Sequence, residues 1–137
     1  MISTNPTTAR TKALQDTLTA SEALLLCQPE DIRYYSGFDC LVSSEREAFL
    51  VITATKAHLL YASFSPTLTV FDGIILRKGV FLSQVAQHIQ EIQAQEPFET
   101  LYCDFDHLLH AEYLHLSETA SCTLAALDRS SIIKQRS

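Results

Sequence analysis

One stretch of the chain concentrates the side chains that could do chemistry. The segment "CDFDHLLHAEYLH" holds six potential metal ligands, namely Asp104, Asp106, His107, His110, Glu112 and His115. Carboxylates and imidazoles bind zinc, manganese or iron, so a small metal-dependent hydrolase is one hypothesis. On a helix, however, His107 and His110 lie about 60° apart and His115 diverges from His110 by about 140°, so three imidazoles cannot converge. The spacing favours a solvated helix face, with Asp106 as its N-cap, over a metal site.

The other reactive residue types form no catalytic set. The serines lack a G-x-S-x-G frame, and three glycines at positions 37, 73 and 79 are too far apart for a phosphate-binding loop. His88 falls at the margin of an apolar helix face, and the sequence suggests no partner for His58. No cysteine stands in an evidently electropositive setting. We therefore expect no catalytic residue, no metal ligand and no cofactor in this chain.

Composition bounds the class of protein. The 137 residues carry a net charge of −6 and are 47% hydrophobic, which predicts one globular domain over 1–137. The chain has no basic run, which argues against nucleic acid or an anionic membrane as a partner. It has no secretory signal and no C-x-x-C spacing among Cys27, Cys40, Cys103 and Cys122. These features predict reduced thiols and a cytoplasmic protein.

Apolar runs of strand length alternate with helical patterns. Strands are predicted at 22–27, 48–53, 57–62, 67–71, 100–105 and 120–127. Helices are predicted after Asn5 as N-cap, at 80–95 and 106–116, and from Asp128 onward. This order predicts an α/β fold of three layers, in which about six strands form a mixed sheet with helices on both faces.

The segment "QPEDIRYYSGFDC" would position a short helix between two strands. Pro29 suits the first turn of a helix, and Gly37 can supply the positive φ that ends it. Within it, Ile32 and either Tyr34 or Tyr35 should pack under the sheet, while the apolar stem of Arg33 rests on the surface. The candidates for an interface or a substrate path follow this stop, and they are Phe38, Asp39 and Cys40. Phe38 is expected to be an exposed aromatic anchor, and the alternative is that it is a core residue.

This same segment resembles the creatinase/prolidase N-terminal domain. In that family a strand such as "DALLIT" leads to "PENIRYLTGF" and then to an apolar hairpin. The residues that match in order and spacing are Pro29, Ile32, Arg33, Tyr34, Gly37 and Phe38. Asp31 and Tyr35 depart from the usual Asn and Leu, and the terminal "IIKQRS" is similar to the stretch that leads into the catalytic domain. The resemblance implies a ribonuclease H-like fold.

The resemblance also implies a function. It identifies the chain as the non-catalytic domain of an Xaa-Pro dipeptidase or aminopeptidase P, contributing dimer contacts and shaping access to the active site. The partners would be a C-terminal "pita-bread" catalytic domain, absent from this chain, and a second copy in a homodimer. That missing domain would bind two divalent metals (manganese, cobalt or zinc). The alternative is a stand-alone binding module of the same fold.

Overall fold

A six-stranded mixed sheet forms the centre of the molecule. The computed structural model describes residues 6–40, 46–62 and 69–130. In chain order the elements are α1 (Pro6–Gln15), β1 (Glu22–Leu26), α2 (Pro29–Ser36), β2 (Ala48–Thr53), β3 (Ala57–Tyr61), β4 (Ile74–Lys78), α3 (Leu82–Gln95), β5 (Thr100–Cys103), α4 (His110–Thr119) and β6 (Thr123–Ala126). The strand order across the sheet is β4-β3-β2-β1-β5-β6.

Among the described strands, β2 runs opposite to the other five. β2 pairs antiparallel with both β1 and β3, so the predicted strands at 48–53 and 57–62 form a hairpin. β1, β5 and β6 run parallel to one another, and β4 runs parallel to β3. The carboxyl ends of β1, β5 and β6 therefore meet at one end of the sheet, where polar groups from separate segments can be brought together.

Two apolar clusters cover the two faces of the sheet. One joins Leu25 and Leu101 to Val85 and Ile89 of α3 and to Leu116 of α4. The other joins alternate residues of the same strands, such as Leu24 and Leu26, to side chains of α1 and α2. All six residues of β2 are buried, because both of its faces are covered. The predicted three-layer α/β fold is confirmed.

The predicted strand at 67–71 is wrong where the structure describes it. Residues 69–71 are not in a strand, and the edge strand is instead β4 at Ile74–Lys78. The reason is that Phe71 engages α2: its N–H donates to the carbonyl of Ser36 at 2.8 Å, and its ring lies over Gly37. Residues 67 and 68, like the predicted N-cap Asn5 and the terminal "IIKQRS", lie outside the described residues.

The predicted helix at 106–116 begins and ends later, at His110–Thr119. Asp106 is not its N-cap, because residues 104–108 form a turn in which the carbonyl of Asp104 accepts from the N–H groups of His107 and Leu108. The helix starts where the Glu112 carboxylate accepts from the N–H of Leu109 at 2.8 Å. Leu109, which immediately precedes the helix, is 59% exposed.

Candidate functional site

A groove beside α2 collects most of the residues singled out from the sequence. Its volume is about 710 Å³, and its lining comprises Pro29, Arg33, Tyr34, Gly37, Asp39 and Cys40 together with Arg10, Glu30 and Phe71. The first six belong to the predicted motif and to the predicted interface segment. The structure therefore places these residues at one surface feature, and it shows that Arg10 of α1 and Phe71 of the β3–β4 connection complete it.

Local geometry explains why the groove forms there. α2 begins with Pro29 at its first turn and ends at Gly37, whose φ of 80° confirms the predicted left-handed stop. The Gly37 N–H donates to the carbonyl of Arg33 at 2.9 Å, which closes the helix. Because glycine has no side chain, the Phe71 ring can approach this turn closely and form one wall of the groove.

The rim of the groove carries both signs of charge. The Arg10 guanidinium lies 4.2 Å from the centre of the Tyr34 ring and donates to the Tyr34 carbonyl at 3.4 Å. Arg33 and Asp39 approach to 3.9 Å, and their side chains are 70% and 69% exposed. A surface pair this exposed contributes little to stability, so both groups can reorganise around a polar ligand at low cost.

Cys40 is a packing group rather than a nucleophile. Its side chain is half-buried against the core cluster beneath α2. Burial raises the pKa of its thiol to about 11, so the neutral form predominates at neutral pH. Of the three residues predicted for an interface or a substrate path, Asp39 is thus the one that presents an exposed polar group.

Phe38 does not have the exposed side chain expected of it. It is 1% exposed and belongs to the core cluster with Ile32 and Tyr35, which are fully buried. The chain reverses at Gly37, and the Phe38 N–H donates to the Ser36 hydroxyl at 3.2 Å, which directs the ring inward. The expectation of an exposed aromatic anchor at this position is therefore wrong, and Phe38 is a core residue.

A second polar cluster is buried at the carboxyl ends of β1 and β5. One Arg129 nitrogen, Nη1, donates to Asp31 Oδ2 and to Asp104 Oδ2, each at 2.7 Å, while Nη2 donates to Gln28 at 2.8 Å. The Asp31 and Asp104 side chains are 0% and 1% exposed. The hydrogen bond to Asp31 raises the pKa of the Arg129 guanidinium. One cation thus bridges two buried carboxylates.

Further contacts tie the 104–112 segment to the same end of the sheet. His107 Nδ1 lies 2.8 Å from Asp104 Oδ2. Arg46 donates to both carboxylate oxygens of Glu112 at 2.9 Å and to the backbone carbonyls of Cys27 and His107. The predicted solvated face is therefore wrong for two members of the set, because Asp104 and Glu112 are buried as partners of arginines.

The arginine partners of these acids bear on whether the six potential ligands can bind a metal ion. Guanidinium groups bind the carboxylates of Asp104 and Glu112, so the two buried acids of the set already have cationic partners. Within residues 6–40, 46–62 and 69–130, no group of three His, Cys, Asp or Glu side chains is placed to hold a metal ion. Neither Arg46 nor Arg129 is predictable from the sequence as a partner of these acids, since a single arginine far along the chain carries no local signal of its partner.

His58 is buried in the sheet, under α3. It is 1% exposed, and its Nδ1 accepts from Arg77 Nε at 3.2 Å. Its Nε2 is buried and has no hydrogen-bond partner among the described residues. Burial, reinforced by the positive charge of Arg77, lowers the pKa of His58 to about 4, so the ring is neutral at neutral pH. His58 is consequently a structural histidine whose charging opposes folding.

Comparisons with known proteins agree with one another. Residues 10–136 match the family model of the creatinase/prolidase N-terminal domain. The structure is similar to an Xaa-Pro aminopeptidase (aminopeptidase P) from Streptococcus thermophilus, with a TM-score of 0.72 and 17% identity over 96% of each chain. It is also similar to the prolidase of Pyrococcus horikoshii, with a TM-score of 0.70, 16% identity, and coverage of 96% of this chain and 35% of that one.

An Xaa-Pro dipeptidase from Bacillus anthracis gives a TM-score of 0.64 at 16% identity, covering 90% of this chain and 33% of the other. The chain thus spans about a third of the Bacillus and Pyrococcus proteins. No curated protein matches the sequence. Among the described residues, no helix is long and apolar enough to cross a membrane.

Proposed function

Because the chain belongs to the creatinase/prolidase N-terminal domain family, we propose that it serves as the non-catalytic N-terminal domain of an Xaa-Pro dipeptidase or aminopeptidase. The family match over residues 10–136 carries this proposal, since it accounts for nearly the whole chain. The similarity to about a third of the Bacillus and Pyrococcus proteins supports a role beside a further, catalytic domain. That domain, rather than this chain, would hold the two divalent metals, whether manganese, cobalt or zinc.

The proposal includes two contributions to the enzyme. The first is a dimer contact with a second copy. The second is control of access to the active site by the groove beside α2, where the exposed Arg33 and Asp39 can contact a peptide or a neighbouring domain. We also place the protein in the cytoplasm, a compartment suited to the free thiols of Cys27, Cys40, Cys103 and Cys122.

The first test is an activity assay on the 137-residue chain. Purified protein incubated with Ala-Pro or Gly-Pro and added manganese should give background rates only, because its buried carboxylates are bound to arginines. Turnover that follows the added metal and disappears in His107→Ala would contradict a non-catalytic domain. The reading frame beyond Ser137 provides the complementary observation: continuation into a catalytic domain is expected, whereas a stop codon favours a stand-alone binding module.

The role in access is tested in the polypeptide that carries the catalytic domain. Asp39→Ala should raise KM for an Xaa-Pro peptide and leave kcat and metal content unchanged, since it removes a binding contact and no chemistry. Lys56→Ala is the matched control, because it removes an exposed charge from the turn between β2 and β3. Equal kinetics for the two variants would show that the groove does not take part in access.

A further inference from the structure

β4 is the edge strand at one side of the described sheet. It is the terminal strand in the order of the described strands, next to β3 alone. Two of its apolar side chains are well exposed, with Ile75 at 36% and Leu76 at 44%. The terminal strand of a sheet exposes a row of backbone donors and acceptors to which another strand can pair. The chemistry of this edge therefore depends on which backbone groups remain open.

The hydrogen bonds to β3 identify the residues that face outward. The Gly79 N–H donates to the Tyr61 carbonyl at 2.7 Å, and β4 continues this parallel pairing in register. Successive residues of a strand direct their backbone groups to opposite sides, so Ile75 and Arg77 bond toward β3. The backbone groups that point away from the sheet belong to Ile74, Leu76 and Lys78.

Two of the six outward groups already have partners. The Ile74 N–H donates to the Phe71 carbonyl at 3.4 Å, and the Lys78 carbonyl lies 2.9 Å from His88 Nε2. Within the part of the chain that the structure describes, four groups stay open. They are the carbonyl of Ile74, the N–H and carbonyl of Leu76, and the N–H of Lys78.

We propose that β4 pairs antiparallel with β4 of a second copy of this chain, about a two-fold axis at Leu76. In this register each Leu76 exchanges both hydrogen bonds with Leu76 of the second copy. Each Lys78 N–H donates to the Ile74 carbonyl of the other copy. The pairing uses all four open backbone groups. It leaves unused the Ile74 N–H and the Lys78 carbonyl, which already have partners. This inference rests on the dimer contact of the proposed function and assigns a surface to it.

The side chains suit the same register. Leu76 stands beside its own counterpart, and Ile74 stands opposite Lys78, so no like charges face each other. Ile75 stands opposite Arg77, whose charge is already paired with Glu91 at 3.1 Å. The paired strands would join the two sheets into one. Because each copy contributes only five residues of strand, the interface is small and the dissociation constant falls in the micromolar to millimolar range.

Charged residues introduced at Leu76, on the two-fold axis, test the pairing. Sedimentation equilibrium of the 137-residue chain should show a monomer–dimer equilibrium. Leu76→Lys and Leu76→Glu should each raise its dissociation constant about tenfold, because like charges then meet at the axis. An equimolar mixture of the two variants should restore association, since opposite charges then meet. Thermal melts of dilute samples establish that both variants fold, as the 44% exposure of Leu76 predicts.

The opposite edge of the sheet supplies the control. Ala126 of β6 is exposed on an edge strand, and Ala126→Lys and Ala126→Glu change net charge equally. These variants should dimerise as the unmodified chain does. A mixture of the Leu76 variants that associates no better than either alone overturns the proposal, and so does loss of the dimer in the Ala126 variants.

Amide hydrogen exchange separates this inference from the proposed function. The amides of Leu76 and Lys78 should exchange more slowly as protein concentration rises, whereas the amide of Ile75, already bonded to β3, should not change. A dimer in which Leu76 exchanges at a constant rate forms through another surface, so the inference fails and the proposed dimer contact stands. A chain that stays monomeric at millimolar concentration overturns both, while the peptidase assays still decide the role beside a catalytic domain.

Discussion

The stability of the fold should depend on pH through His58. In the folded protein the pKa of this histidine is lowered to about 4, against an ordinary value of 6.5. Between these values the unfolded chain binds a proton that the folded chain excludes, so the free energy of unfolding rises with pH. The contribution is complete above the unfolded pKa and is lost as the pH falls through the folded one.

The magnitude follows from the size of the shift. A difference from 6.5 to about 4 corresponds to about 3 kcal/mol when the pH falls through the whole window, at about 1.4 kcal/mol for each pH unit. Between about pH 7 and about pH 5 the loss is about 2 kcal/mol. The main structural cause is the burial of His58. A proton on Nδ1 would also displace the hydrogen bond from Arg77 and place a second cation beside that guanidinium.

Urea unfolding at several pH values measures this effect. His58→Asn retains an acceptor near Nδ1 but cannot be protonated, so its unfolding free energy should fall about 2 kcal/mol less than that of the unmodified chain between about pH 7 and about pH 5. His110→Asn, at an exposed histidine, should follow the unmodified chain. Parallel pH profiles for His58→Asn and the unmodified chain would refute the reasoning.

Two further predictions concern the turn that ends α2. Gly37→Ala should destabilise the fold by about 1–3 kcal/mol more than Gly73→Ala. Both glycines have positive φ, but only at Gly37 would a Cβ meet the Phe71 ring, at 2.9 Å; equal losses in urea unfolding would exclude that contact. Phe38→Ala should cost about 3–5 kcal/mol as a core truncation. Phe81→Ala, at a side chain 73% exposed, should change stability by less than about 0.5 kcal/mol, and a similar melting temperature for both variants would contradict burial of Phe38.

Local sequence patterns were sufficient to predict α2 and β2. Proline in the first turn and glycine at the stop predicted α2, because each restricts or permits a particular φ. The run "AFLVIT" predicted β2 with its observed bounds, since a short and almost continuous apolar run is typical of a strand covered on both faces. The motif residues around Gly37 could also be identified from the sequence, because they all lie on this short helix or directly after it.

Tertiary structure decided the features that depend on distant partners. Phe38 follows an exposed turn in sequence, and only the fold of the chain onto the sheet shows that its ring is buried. The spacing of the acidic residues in 104–115 predicts one solvated helix face. Two of them are instead buried against Arg46 and Arg129, which are 66 and 25 residues away along the chain. The position of β4 as an edge strand could not be predicted from the sequence either. Phe71 bonds to α2 instead of joining a strand, and the strand forms later, at Ile74–Lys78. A one-dimensional pattern constrains neighbours along the chain, whereas buried charge pairs and sheet edges are set by contacts that form only when separate segments meet.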